Sequence, residues 1–110
     1  MNEERQRRLA ANEALARDVN EVVEHVAASW FDPEERLDFR CECSRPSCSS
    51  HVTLTRAEYE SIRSDALRFV VVPGHEDHEV EREVGRIREY FVVEKTGAGA
   101  DVAQETDPRA

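Results

Sequence analysis

The sequence is poor in the residues that build a large apolar core. Aromatic residues make up 6% of its 110 positions, and charged residues, at 35%, nearly match the 39% that are hydrophobic. No stretch approaches the ~20 consecutive apolar residues that a membrane-spanning helix needs. The first ten residues, MNEERQRRLA, lack the apolar segment of a secretory signal. We therefore expect a small cytoplasmic protein with no membrane segment. Its core should be modest, so a structural metal would add to its stability.

Positive charge is also scarce. The chain has 15 Lys and Arg against 24 Asp and Glu, for a formal net charge of −9 at pH 7, and Lys95 is its single lysine. A phosphate backbone repels such a chain on average, so nucleic acid is an unexpected partner and another protein is the expected one. Arginines near the cysteines, such as Arg40 and Arg45, could form a local basic face, so nucleic-acid binding there is the alternative.

Cysteine is limited to three residues, and all of them fall within FRCECSRPSC as Cys41, Cys43 and Cys48. An odd number of cysteines in a reducing compartment argues against a disulfide framework. A redox pair would use two of them and leave the third unexplained. Three thiolates suit Zn2+, which takes a fourth ligand to complete a tetrahedron, and alternation places Cys41 and Cys43 on one side of an extended segment. The pattern favours a zinc site, with redox thiols as the alternative.

The fourth ligand has two main candidates. His51 lies three residues after Cys48, and His75 follows RFVVVPG, where a Pro-Gly turn would present it. Asp77 and His78 are further alternatives. The C-x-C-x4-C spacing resembles the post-SET zinc motif, whose fourth ligand comes from far along the chain. It also resembles the SWIM zinc finger, from which the spacing to His51 differs by one residue.

Four segments, FRCEC…C, LTRAEYESIR, RFVVVPGHE and YFVVEK, carry a wider resemblance. Together they resemble a family of short uncharacterised actinobacterial-type proteins with the signature F-x-C-E-C-x4-C, L-T-x2-E-Y-E and F-V-V-x-P-G-H-E. The resemblance spans about Asn12 to Lys95 and implies no particular activity. It includes the Gly-His pair and so favours His75. The predicted metal site is one structural Zn2+ held by Cys41, Cys43, Cys48 and His75.

The first third of the chain predicts a long helix over residues 3–28. Its apolar residues recur at intervals of four, three and four, which is one helical stripe: Leu15, Val19, Val22 and Val26. We expect this stripe to pack on the protein's own domain, with a short dimer seam as the alternative. Trp30 and Phe31 are expected to end the helix and fill the core.

The remaining segments predict an α+β fold. Val52 and Leu54 alternate with polar residues as in a strand, and Thr55 with Glu58 forms a capping box that begins a short helix. Residues 68–72 and 90–95 read as strands, and 79–89 fits either a helix or, preferably, a strand. The expected organisation is an N-terminal helix (1–30), a zinc-stabilised antiparallel sheet with one short helix (31–95), and a flexible tail (96–110).

No nucleophile–base pair and no phosphate-binding glycine loop stands out in the sequence, so we expect no enzymatic activity. Glu42 or Glu76 could act as a base only if water took the fourth metal position. The leading interpretation is a small zinc-binding interaction or regulatory module, monomeric or weakly dimeric through its helix. The alternatives are a thiol-based redox or zinc sensor and a zinc-finger-type nucleic-acid binder.

Overall fold

The computed structural model describes residues 2–87 and 89–109 and has the predicted α+β architecture. The sequence predicted one sheet and one short helix, whereas the structure has two antiparallel sheets, ordered β1-β2 and β3-β5-β4, and two short helices. The elements, in chain order, are α1 (Glu3–Ala27), β1 (Arg36–Arg40), β2 (His51–Thr55), α2 (Arg56–Arg63), β3 (Arg68–Val71), β4 (Glu81–Ile87), β5 (Tyr90–Lys95) and α3 (Gly97–Glu105).

Local sequence signals explain the step from β2 to α2. Val52 and Leu54 are buried while their neighbours along β2 are more exposed, as the alternation predicted. The Thr55 hydroxyl accepts a hydrogen bond from the Glu58 backbone N–H at 3.0 Å, and the Glu58 carboxylate accepts one from the Thr55 N–H at 2.8 Å. The predicted capping box is therefore confirmed, and it fixes the first turn of α2.

The ambiguous segment 79–89 contains a strand, which confirms the preferred interpretation. β4 pairs antiparallel with β5, the central strand of the three-stranded sheet, and the register shifts between Glu83 and Gly85. Such a bulge leaves one residue unpaired and increases the local twist, which accommodates a glycine inside a strand.

Helix α1 is turned opposite to the expected orientation. Three polar side chains on its inner face, those of Glu13, Arg17 and Asn20, are each 0% exposed. The apolar stripe lies on the other side of the helix, where its members are 46–65% exposed: Leu15 65%, Val19 46%, Val22 63% and Val26 54%. The expectation that the stripe packs on the protein's own domain is therefore wrong.

A buried ionic cluster explains why the polar face of α1 points inward. The Lys95 ammonium donates hydrogen bonds to Glu13 on α1 and Glu81 on β4, and all three side chains are fully buried. The same ammonium lies 4.6 Å from the centre of the Phe69 ring, a cation–π contact. Burial raises the pKa of Glu13 well above its usual value. Because carboxylate and ammonium groups are buried only when paired, these partners determine which face of α1 meets the domain.

Arg17 makes a second attachment of α1. Its guanidinium donates hydrogen bonds to the Ala66 carbonyl at 2.9 Å and the Ala103 carbonyl at 3.0 Å, and it also lies 4.6 Å from the Phe69 ring centre. The inner face of α1 is thus held by hydrogen bonds and charge pairs, with small alanines filling the space between them.

The segment 96–110 was predicted to be a flexible tail, but helix α3 occupies most of it. Ala98, Val102 and Ala103 are buried, and α3 packs against α1 and β5. A Cβ at Gly99 would lie 3.1 Å from the Val80 carbonyl oxygen, so glycine allows the close approach. After α3, the Arg109 guanidinium pairs with carboxylates on α1 and α2: Glu21 and Glu60.

The prediction for the two aromatic residues after α1 is also wrong. Trp30 is 78% exposed and Phe31 is 44% exposed. The core instead has two clusters. One is centred on Phe39 and Tyr59, whose rings stack 4.5 Å apart, and the other combines Phe69, Val71 and Val93 with the buried side chains of Cys41 and Cys43.

Candidate metal centre

The structure brings the four predicted ligand residues together. The donor atoms of Cys41, Cys43, Cys48 and His75 all lie within 4.8 Å of one another. The His75 Nδ1 atom is 3.5 Å from the Cys41 Sγ and 3.6 Å from the Cys48 Sγ. In a tetrahedral Zn2+ site, with bonds of ~2.3 Å to sulfur and ~2.0–2.1 Å to nitrogen, a sulfur ligand and a nitrogen ligand lie about 3.6 Å apart. The cluster therefore has the dimensions of a tetrahedral metal site and could hold one ion.

Extended backbone at the end of β1 places the first two cysteines. The Cys41 N–H donates to the Ser50 carbonyl at 3.0 Å and continues the β1–β2 pairing, while the Glu42 N–H donates to the Val70 carbonyl at 2.8 Å. The Cys-Glu-Cys segment thereby links the two sheets. Because side chains alternate along extended backbone, both cysteines point to one side and Glu42 to the other.

Cys48 returns to the cluster through a tight turn, in which its N–H donates to the Arg45 carbonyl at 3.1 Å. His75 arrives through a second turn, in which its N–H donates to the Val72 carbonyl at 2.9 Å. The central residues of that turn are Pro73 and Gly74, and Gly74 has φ of +94°. Pro followed by a positive-φ Gly is the pattern of a type II turn, so the sequence itself determines how His75 is presented.

Backbone N–H groups point at the sulfurs. The Val72 N–H donates to the Cys41 Sγ at 3.2 Å, and the Arg45 backbone N–H lies where it lowers the pKa of Cys43. The hydrogen bond between the two thiols is the largest influence on both: it lowers the pKa of Cys43 to about 5 and raises the pKa of Cys41. Negative charge is thereby favoured on the Cys43 sulfur and disfavoured on the Cys41 sulfur, so a bound cation would have to displace the Cys41 proton.

Residues around the cluster connect its two loops to α1. The Ser44 hydroxyl donates to the Asp77 carboxylate at 2.9 Å, and the Asn12 side-chain amide donates to the Ser44 carbonyl at 3.0 Å. The Asp77 N–H in turn donates to the Glu81 carboxylate at 2.9 Å. This chain of hydrogen bonds fixes the cysteine loop and the His75 loop relative to each other, as supporting contacts do around metal ligands.

The other candidate ligands are not members of the cluster. His51 is exposed at the start of β2, paired with Arg40, and is not a member of the cluster. The Asp77 carboxylate accepts a hydrogen bond from the Ser44 hydroxyl, and the side chain of His78 is exposed. Of the alternatives weighed from the sequence, the geometry supports His75.

Glu42, which we considered as a catalytic base, points away from the cluster into the core. Its carboxylate is fully buried and accepts hydrogen bonds from the Tyr59 hydroxyl at 2.7 Å, the Asn20 amide at 2.9 Å and the Val70 N–H at 3.0 Å. Burial raises the pKa of Glu42, while these donors favour its ionised form. Asn20 also brackets the Arg40 backbone, accepting from its N–H and donating to its carbonyl. Glu42 is thus the residue that anchors the Cys-Glu-Cys segment to α1, α2 and β3.

Comparisons with protein-family models, with curated proteins and with solved structures found no match to this chain. The resemblance to the short actinobacterial-type family stays a prediction. Among the helices in the described part of the chain, none combines the length and apolar character needed to cross a bilayer.

We expect His75→Ala to weaken metal binding at least about a hundredfold, because loss of residues that only support metal ligands already costs 10–100-fold. His51→Ala is the matched control and should leave affinity unchanged, because His51 lies outside the cluster. Competition titration against a chromophoric zinc chelator measures both affinities. Equal affinity of His75→Ala and the unaltered protein would remove His75 from the ligand set.

Proposed function

We propose that this protein is a small zinc-binding module in which one structural Zn2+ holds the cysteine loop against the His75 turn. The observation that supports this most directly is the pair of Sγ–Nδ1 distances, 3.5 and 3.6 Å, which match the separation imposed by tetrahedral Zn2+. The donor set, three sulfurs and one imidazole, also argues for a soft or borderline cation. Ca2+ and Mg2+ take oxygen ligands, and the cluster contains no carboxylate.

A structural role fits the site better than a catalytic one. Four protein ligands complete a tetrahedron and leave no position for water or substrate. Two acidic residues adjoin ligands in sequence: Glu42 is turned into the core, and Glu76 accepts a hydrogen bond from the Gly74 N–H. We therefore propose a module that acts by binding, as an interaction or regulatory protein, and not as an enzyme.

Charge favours a protein as the partner. The chain carries a net charge of −9, and three thiolates with one Zn2+ add one further negative charge. Attraction to a phosphate backbone would have to come from a local patch, against the field of the whole molecule.

Burial of the thiols favours a structural zinc over a thiol-based redox sensor. Cys41 is 1% exposed and Cys43 is 2% exposed, which leaves the half-buried Cys48 as the accessible sulfur. Thiol oxidation follows exposure as well as thiolate character, so these positions suit a stable site.

Metal content before and after oxidation tests the proposal. We expect one zinc per chain by mass spectrometry of the purified protein, and retention of that zinc during exposure to hydrogen peroxide at roughly the concentrations that oxidise accessible thiols within minutes. The reference for full release is the denatured protein, which should give up all of its zinc to a chromophoric chelator. Rapid release from the folded protein would contradict a purely structural metal and favour the sensor.

A further inference from the structure

The feature that the metal site leaves unexplained is the exposed apolar stripe of α1, which we call the outer stripe: Leu15, Val19, Val22 and Val26. The outer stripe lies opposite the buried polar face of α1. Turning the helix to bury the stripe would therefore remove Glu13 from its buried partner Lys95. Contiguous exposed apolar residues mark interaction sites on soluble proteins. Trp30 and Phe31 extend the apolar surface past the end of α1.

A groove runs beside the outer stripe, between α1 and the β1 side of the protein. Three adjoining depressions form it; the first two share Val19 and Arg40, and the second and third share Val23 and Asp38. The depression at the Phe31 end is the largest of the three, at about 370 Å³, and is lined mostly by apolar side chains. The stripe itself is about 16 Å long, from the helical rise per residue. This shape suits the side of another helix.

We propose that the occupant is a second copy of this chain, whose α1 packs antiparallel against the outer stripe about a two-fold axis. The four-three-four spacing of the stripe is the one used at helix–helix seams, where side chains of one helix fill the spaces of the other. A two-fold contact requires a surface that is complementary to itself. An apolar stripe whose members are all Leu or Val meets that requirement at each position.

The charges along the groove favour the antiparallel direction. Arg40 and Arg45 line the end near Leu15, whereas Asp38 lies toward the end near Phe31. The midpoint of the stripe falls between Asn20 and Glu21, so a two-fold axis there brings the basic half of one copy to the acidic half of the other. Opposite charges then meet across the contact, which favours the antiparallel orientation, whereas a two-fold axis parallel to the helices would put the two grooves on opposite sides of the seam and leave these charges without partners.

The contact is small. An aromatic residue buries ~150–250 Å² at most, and four partly exposed aliphatic residues add a few hundred more, which stays below the ~800 Å² per partner of a standard interface. We therefore expect a weak dimer with a dissociation constant in roughly the micromolar range. Trp30, the single tryptophan, would become less exposed on association, so its fluorescence reports the contact.

Sedimentation equilibrium of the zinc-loaded chain, from ~1 µM to ~1 mM, tests the proposal. We expect a monomer–dimer equilibrium accompanied by a blue shift of Trp30 emission. Val22→Asp should raise the dissociation constant at least about a hundredfold, because it buries two unpaired carboxylates at the seam. Val84→Asp, on β4 and 36% exposed, is the matched control and should leave association unchanged.

A chain that stays monomeric over the whole range overturns the proposal, and so does a dimer that Val22→Asp leaves intact. The zinc content of each variant separates this result from the metal proposal, because Val22 is remote from the ligands and the variant should still hold one zinc per chain.

Charge reversal tests the orientation. Asp38→Arg should weaken the dimer about three- to tenfold, and adding Arg40→Asp should restore most of that loss, because the reversed charges attract again across the two-fold axis. Zinc content and circular dichroism confirm that both variants fold. Failure of the double variant to recover affinity overturns the antiparallel arrangement.

Discussion

Removal of the metal is expected to unfold the cysteine loop and the His75 turn and to lower the stability of the whole chain sharply. Binding of structural Zn2+ contributes on the order of 10 kcal/mol to the folding of small zinc-dependent peptides. Domains of this size are stable by only ~5–15 kcal/mol in total. Cys41 and Cys43 are also members of the second core cluster, so three unpaired thiols would leave charge or polar groups facing Phe69 and Val71.

Thermal unfolding followed by circular dichroism, with and without a strong chelator, measures this effect. We expect the melting temperature to fall by more than about 20 °C in the chelator, since 1 kcal/mol shifts it by ~4–8 °C in a domain of roughly this size. Chelator already saturated with zinc is the control and should change nothing. An unchanged melting curve in metal-free protein would mean that the protein folds stably without the ion.

The second large effect concerns Glu42. Replacement by alanine leaves the Tyr59 hydroxyl, the Asn20 amide and the Val70 N–H without their shared acceptor in the core. Each buried group left unpaired costs ~1–3 kcal/mol, so we expect Glu42→Ala to destabilise the protein by about 3–5 kcal/mol in urea unfolding. It should also weaken zinc binding about 10–100-fold, because Glu42 determines where its two neighbouring cysteines lie.

Glu76→Ala is the matched control for Glu42→Ala. Glu76 follows His75 directly and accepts a hydrogen bond from the Gly74 N–H at an exposed position, so its loss should cost less than about 1 kcal/mol. Two variants of equal stability would show that the carboxylate of Glu42 does not anchor the segment.

Short-range rules made part of the metal cluster predictable, whereas local spacing left both His51 and His75 open as the fourth ligand and the family resemblance alone favoured His75. Alternation along extended backbone places Cys41 and Cys43 on one side, and the Pro-Gly turn presents His75. The capping box of α2 and the strand at 51–55 follow equally from neighbours in sequence.

The orientation of α1 depends on residues that a local pattern does not contain. Glu13 meets Lys95, 82 positions away, and Arg17 meets Ala103, 86 positions away. An apolar stripe at helical spacing indicates a helix, but it does not determine which face of that helix packs against the rest of the chain. The stripe therefore predicted the helix correctly and its buried face incorrectly.

Helix α3 was missed because GAGADVAQE has two glycines, which disfavour isolated helices. The helix is stabilised by packing: alanines and Val102 bury against neighbouring elements, and Gly99 allows the contact with Val80. Glu42 was recognised as acidic and near the cysteines, but its role follows from the three donors around it, which come from α1, α2 and β3.

X-ray absorption spectroscopy at the zinc edge of the purified protein reports the ligands of the metal itself. We expect one zinc per chain, surrounded by three sulfurs at ~2.3 Å and one imidazole nitrogen at ~2.0–2.1 Å. The imidazole signal should persist in His51→Ala and disappear in His75→Ala. Protein that is folded without metal, or zinc bound by fewer than three sulfurs, would contradict a structural zinc site made of three cysteines and His75.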